Sequence, residues 1–255
     1  MVQQTKSIEN IQANNNGRVA LPIVPQFLDD PLSGYALEML RMKRGESLID
    51  DVLLEMEELA SIEQIPIIGP LEGAVIQILT QIRQPAPKLV LDIGTAIGYS
   101  ALWLAKALPN GSQIISIEID AQRAQTAKKF IEKAGYQHQI EVVCGDVLDL
   151  LPSMEIFDVI LQDVIKHVYF GADSRLSLQL FEYCLDHLHD GGMLLGDNAF
   201  CMGEVLHNNS EDTPAQIRGI QAYNEQVATH PELNSVIIPV RDGLWVSHRQ
   251  IRRAA

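Results

Sequence analysis

The chain has 255 residues, 47% of them hydrophobic, and a formal net charge of -14. That length and apolar content fit one sizeable core with room for an added arm, and the charge argues against broad nucleic-acid binding, although a local basic patch could still hold a phosphate. No apolar run reaches the roughly 18–20 residues of a membrane span, no segment reads as a signal peptide, and the three cysteines, odd in number and without metal spacing, read as free thiols of a cytoplasmic protein.

Residues 1–20 contain "QQTKSIENIQANNNG", polar and without a period, which predicts a disordered tail. Residues 21–85 are expected to form a helical arm or lid on a core spanning 86–255, within a single domain. Ser33 is placed as the cap of a helix in "GYALEMLRMKR". "SLIDDVLLEMEELASIEQ" reads as a second amphipathic helix, and "LEGAVIQILTQIR" as a third, after Pro70. From residue 88 the texture changes. "KLVLDIG", "SQIISIEID", "IEVVCGD", "FDVILQD" and "GGMLLGD" are short apolar runs, with helical segments predicted over Ser100–Leu108, Ala121–Ala134, a stretch near Leu148, and Ser177–Leu188. Such alternation predicts a parallel sheet covered on both faces. "TPAQIRGIQAYNEQVATH" follows as a helix, with Thr213 as cap and Pro214 in its first turn. "NSVIIPV" and "GLWVSHR" then pair across "RDG" as a hairpin. The predicted fold is α/β and Rossmann-like: a seven-stranded, mostly parallel sheet with an antiparallel C-terminal hairpin, helices on both faces and extra N-terminal helices.

Each parallel strand ends in or beside an acid: Asp92, Glu118, Asp146, Asp163 and Asp197. Open parallel sheets bind ligands at the carboxyl ends of their strands. The first strand runs into "LVLDIGTAIGYS", where Gly94 and Gly98 allow a close backbone approach. The spacing is Gly-x-x-x-Gly, not the Gly-x-Gly-x-x-Gly of a pyrophosphate site, and Glu118 stands about twenty residues further on, where a carboxylate holds ribose hydroxyls. A nucleoside without phosphates fits, such as the adenosyl group of S-adenosylmethionine; a tight turn with no ligand is the competing reading. Asp163, Asp197 and Asn198 offer hard oxygen donors that suit Mg²⁺ or a similar cation. Taken singly, Asp-Asn is a turn that bonds its own backbone and Lys166 a solvated lysine. Their common sheet edge joins them into a site.

In this order and spacing the motifs resemble the metal-dependent, S-adenosylmethionine-dependent O-methyltransferases of the catechol and caffeoyl-CoA type, over about residues 65–250. "LDIGTAIGYSALWLA" resembles the family's first cofactor motif and "SIEID" its ribose motif. "FDVILQDVIKHVY" resembles the metal-and-lysine motif, and "GGMLLGDNAFCMGEV" the Asp-Asn motif. The resemblance implies that Asp163, Asp197 and Asn198 bind a divalent cation, Mg²⁺ first and Mn²⁺ or Ca²⁺ next. It makes Lys166 the general base, with Asp163 beside it at the reacting centre. It places the cofactor along Asp92, Gly94, Thr95, Gly98, Tyr99 and Ser100, with Glu118 at the ribose, Asp146 and Val147 by the adenine, and Asp163 bordering it. Glu72 matches the Glu-Gly start of the helix before the first strand. Asp163-Val164-Ile165-Lys166 departs from the plant-type Asp-Ala-Asp-Lys, which puts the plant substrate in doubt rather than the activity. Gln162 is polar where such strands are apolar.

The resemblance implies a small catechol-like, phenolic or enolic acceptor, bordered by residues 201–214, and a homodimer with no membrane. "GTAIGYSA" and "THPELNSVIIPVRDGLWVS" also look like the bacterial branch that includes the tRNA 5-hydroxyuridine methyltransferases, so tRNA is an alternative acceptor. "RMKR" and "HRQIRR" are its candidate phosphate contacts, with a solvated helix end and chain end as the plainer reading. His167, beside the lysine, is the one histidine worth testing, an exposed histidine at a helix start being the favoured reading. Two rivals differ in class. A pseudoenzyme would bind cofactor without turnover, and a nicotinamide oxidoreductase is disfavoured by the glycine spacing and the terminal hairpin.

Overall fold

The computed structural model describes residues 31–42, 47–164, 174–206 and 214–251. Seven strands form one sheet: β1 Leu89–Ile93, β2 Gln113–Glu118, β3 Ile140–Cys144, β4 Phe157–Gln162, β5 Leu188–Gly196, β6 Leu233–Ile238 and β7 Leu244–Arg249. Their order is β3-β2-β1-β4-β5-β7-β6. β1 to β5 pair in parallel, and β7 runs antiparallel to both β5 and β6. The chain moves outward from β1 to β3, then returns to lay β4 on the other side of β1. Loops that leave β1 and β4 therefore diverge to opposite faces, and the crevice between them is the natural ligand position of such a sheet.

Alternate side chains of the central strands enter two cores. Val90, Ile114, Val159 and Leu195 point to one face, where they meet α2 (Leu48–Glu63), α3 (Gly69–Gln81), α4 (Tyr99–Ala107) and α5 (Ala121–Lys133). Leu91, Ile93, Ile160 and Leu194 point to the other, under α6 (Val147–Leu150), α7 (Ser174–Asp186) and α8 (Ala215–Thr229). Burial on both faces explains why these strands read as continuous apolar runs. α2 and α3 place Val52, Leu53, Met56 and Ile76 in the same core as α4 and the sheet. α3 approaches α4 closely because residue 73 is glycine: a Cβ there would stand 2.5 Å from the Trp103 ring. An ion pair from Lys106 to the buried Asp50 and a hydrogen bond of 2.5 Å from the Tyr99 hydroxyl to Glu57 tie α4 to α2. α1 (Pro31–Arg41) lies against α3 and buries none of its own residues.

Several expectations shift. The first helix begins at Pro31, so Ser33 lies inside it and is not its cap; proline suits a first helical turn, where its missing N–H costs nothing. α7 spans Ser174–Asp186 rather than Ser177–Leu188, and β5 begins at Leu188. The reason is an irregular pairing with β4, where Phe157 meets Leu188 but Val159 meets Met193. The "HDGG" stretch bulges between these pairs, with Gly191 at φ 75. Pro214 itself occupies the N-cap of α8, and Thr213 lies outside the described residues. The expected tail over 1–20 lies outside them too. Among the described residues, no helix is long and apolar enough to cross a membrane.

Candidate active site

β1 delivers its loop onto the end of β4. Gly94 has φ 91, and a Cβ on it would stand 2.2 Å from the Asp163 carbonyl oxygen. Only glycine permits that approach. The Gly94 and Thr95 N–H groups both donate to the Ile117 carbonyl, at 2.9 and 3.1 Å, which bends the loop towards β2. Gly98, at φ 93, is the N-cap of α4 and brings no capping side chain.

Behind the loop, Asp92 is fully buried and accepts hydrogen bonds from Ser116 (2.7 Å) and Ser100 (3.0 Å). Burial raises its pKa, and these hydroxyls pull it back. Glu118 accepts the Ala96 N–H at 2.8 Å and the Asp120 N–H at 2.9 Å, one on each carboxylate oxygen. Each oxygen has a second lone pair, so Glu118 both shapes the loop and keeps acceptor capacity for a diol. Asp146 caps α6 by accepting the Leu148 N–H at 2.9 Å, and Val147 beside it is buried. The Tyr99 side chain turns into the core towards Glu57 and Trp103, leaving its backbone at the helix start.

The acids of β4 and β5 are brought together by the parallel ladder. Asp163 N–H donates to Ile93 at 2.9 Å, and Asp197 N–H donates to Gln162 at 3.1 Å. Asn198 follows in a left-handed conformation, φ 61. Its Oδ1 is buried without a hydrogen-bond partner, an arrangement that costs free energy unless something binds there. Three further residues join this edge from distant parts of the chain. Glu72, on the first turn of α3, is buried and faces Asp197. Burial, then Asp197, hold its carboxyl well above the usual range; Arg241 opposes this and Asp163 adds to it. Arg241 donates to the Ile67 carbonyl at 2.6 Å, and Gly69 leaves room for its guanidinium. Asp242 accepts the Met202 N–H at 2.6 Å, and the Asn198 side chain faces its carboxylate. Its pKa is pushed up to about 6, chiefly by burial and further by Asp197, against these contacts and Arg241.

The residues named from the sequence, Asp163, Asp197 and Asn198, come together at one sheet edge, and Glu72, matched without a role, joins them. Arg241 and Asp242 are not singled out by the sequence, because "RDG" reads locally only as a turn. Lys166, Ile165 and His167 lie outside the described residues, as do residues 207–213 of the loop expected to border the acceptor. Among the described residues no three His, Cys, Asp or Glu side chains form a metal-holding group. The candidate set is instead two carboxylates and an amide oxygen. It fits a hard cation: the Asn198 Oδ1 is an orphaned acceptor beside an excess of acidic charge. Of the basic clusters, Lys43 and Arg44, and Arg252 and Arg253, lie outside the described residues. Arg249 is buried, bonded to the Leu185 and Leu188 carbonyls and to Glu232.

Comparison with known proteins gives the family. The profile of the O-methyltransferase family matches residues 49–250. A catechol O-methyltransferase of Niastella koreensis is 30% identical over 196 residues, covering 74% of this chain and 83% of that protein. A flavonoid 3',5'-methyltransferase of Vitis vinifera is 26% identical over 227 residues, covering 86% of this chain and 94% of that protein. An O-methyltransferase of Bacillus cereus, solved in complex with SAH, superposes with a TM-score of 0.67 at 28% identity, over 78% of this chain and 91% of that one. The chain belongs to the O-methyltransferase family.

Proposed function

We propose that this protein transfers the methyl group of S-adenosylmethionine to a hydroxyl of a small catechol-like, phenolic or enolic acceptor, with a divalent cation held at the ends of β4 and β5. The observation that carries the reading is the adjacency of two differently built halves on one sheet edge. The Gly94–Gly98 loop with Glu118 suits an uncharged nucleoside. Asp163, Asp197 and the orphaned oxygen of Asn198 suit a cation.

Glu118 holds the ribose hydroxyls, and the backbone around Gly94 and Thr95, with Asp92 and Ser100, holds the methionine part. Asp146 and Val147 border the adenine. S-adenosylmethionine supplies an activated methyl on a sulfonium. A divalent cation, when bound, lowers the pKa of a hydroxyl brought to it. Asp163, Asp197 and Asn198 are the residues that would hold that cation. Lys166 takes the hydroxyl proton. Much of the rate then comes from placing donor and acceptor in one site. Gln162 and Val164, on either side of Asp163, are buried.

The small acceptor is favoured over tRNA because Arg249 of the C-terminal basic cluster is occupied inside the fold. The test is methyl transfer from labelled S-adenosylmethionine to two pools, hydroxylated phenolics and tRNA carrying 5-hydroxyuridine, with Mg²⁺ or with chelator. Mg²⁺-dependent label in the phenolics is expected, lost in Asp163→Ala, and cut in Lys166→Ala with cofactor binding intact. Full activity in excess chelator contradicts the metal-dependent reading, and label confined to tRNA contradicts the acceptor.

A further inference from the structure

The β6–β7 hairpin enters the site at one point. The Ala199 N–H donates to the Gly243 carbonyl at 2.9 Å, and the Phe200 N–H donates to the Asp242 carbonyl at 2.8 Å. Gly243, at φ 83, lets Phe200 close on the turn; a Cβ there would stand 2.8 Å from its ring. Asp242 is thus locked beside the segment that follows Asn198. Its carboxylate takes the Met202 N–H at 2.6 Å, and the Asn198 side chain faces it.

A carboxylate only accepts, so the group that Asn198 turns to it is the NH₂ of its carboxamide. The carboxamide is planar, and its oxygen must then face the other way. That oxygen is the buried, unpartnered Oδ1. We propose that Asp242 is a positioning residue: it fixes the flip of the Asn198 carboxamide so that oxygen, not nitrogen, is presented to the cation held with Asp163 and Asp197. This rests on the metal reading above. It assigns the antiparallel hairpin a part in the site, through a residue that touches neither cofactor nor acceptor.

Substitution of Asp242 by asparagine keeps the shape and one acceptor for Met202. It sets an NH₂ against the NH₂ of Asn198, and the clash is relieved by flipping Asn198, which turns nitrogen to the cation. Asn198→Asp removes the need for orientation, since a carboxylate offers oxygen on both sides. The two effects separate positioning from charge. If Asp242 acted by its charge, its neutralisation would weaken cation binding in either background.

The experiment is Mn²⁺ titration by electron paramagnetic resonance of the full chain, without acceptor, for wild type, Asn198→Ala, Asp242→Asn, Asn198→Asp and the Asn198→Asp/Asp242→Asn double variant. Melting curves confirm that each is folded. Asp242→Asn is expected to weaken Mn²⁺ binding about 10-fold or more, in the range found for groups that orient metal ligands. The same change in the Asn198→Asp background is expected to leave affinity within about 2-fold. Equal weakening in both backgrounds, or none with asparagine at 198, overturns the inference while Asn198→Ala still loses affinity. A wild-type protein that binds no Mn²⁺ overturns the metal reading together with it.

Discussion

Tyr223 donates its phenolic hydrogen to Gln162 across 2.6 Å, inside the core, one residue before Asp163. Its neighbour Asn224 donates to the Ala199 carbonyl at 2.8 Å, just beyond Asn198, and receives the Trp245 indole N–H at 2.7 Å. Two consecutive residues of α8 therefore tie down both strand ends that carry the candidate cation ligands. Gln162, polar and fully buried at the end of β4, is the anchor for one of these ties, which accounts for a glutamine at that position.

This pairing has a measurable signature. Tyr223→Phe strands the buried Gln162 oxygen, whose amide nitrogen already lacks a partner. The expected cost is about 1–3 kcal/mol. Adding Gln162→Leu removes the stranded group, so the double variant should recover much of that loss. Chemical denaturation of the four proteins checks this; strictly additive losses contradict it.

Gly73→Ala should destabilise the fold by about 1–3 kcal/mol through overpacking, because the new methyl meets the rigid Trp103 ring. The same substitution shifts α3, and with it Glu72, so Mn²⁺ affinity should fall along with the melting temperature. An unchanged melting temperature contradicts the close α3–α4 contact.

Glu118→Gln keeps the size of the side chain but turns an NH₂ towards one of the two N–H groups that Glu118 now accepts, those of Ala96 and Asp120. A charge-assisted hydrogen bond is worth about 1.5–3 kcal/mol, so S-adenosylmethionine affinity should fall about 10- to 100-fold. Mn²⁺ binding should hold, because Asp163 and Asp197 follow other strands, β4 and β5. Calorimetric titration of each ligand separates the two; loss of both together contradicts the division of the site into halves.

The raised acids predict a pH dependence of stability in the metal-free protein. Asp242 titrates at about 6 when folded, against about 3.9 for an unperturbed aspartate. Between those values the folded chain binds more protons than the unfolded one, so stability falls as pH rises through that window. Glu72 and Asp92 are shifted in the same direction by burial. With chelator present, the melting temperature should be higher near about pH 5 than near about pH 7.5, and Asp242→Asn should reduce that difference. An equal difference in both proteins contradicts the assignment to Asp242.

The sequence by itself determined the strands, the loop of Gly94 and Gly98, and the acids that end each strand, because those signals are local. A buried strand must be apolar over its own length, and a turn needs its glycine in place. The same locality let Asp163, Asp197 and Asn198 be named before their neighbours were known. The tertiary structure decided what surrounds them. Arg241 bonds a carbonyl 174 residues away, Glu72 reaches Asp197 from α3, and Asp242 meets Asn198 only because β7 inserts antiparallel beside β5. No short stretch encodes such meetings. They follow from packing helices and a hairpin against a twisted sheet, where burial brings charges together and makes each one's protonation depend on the others.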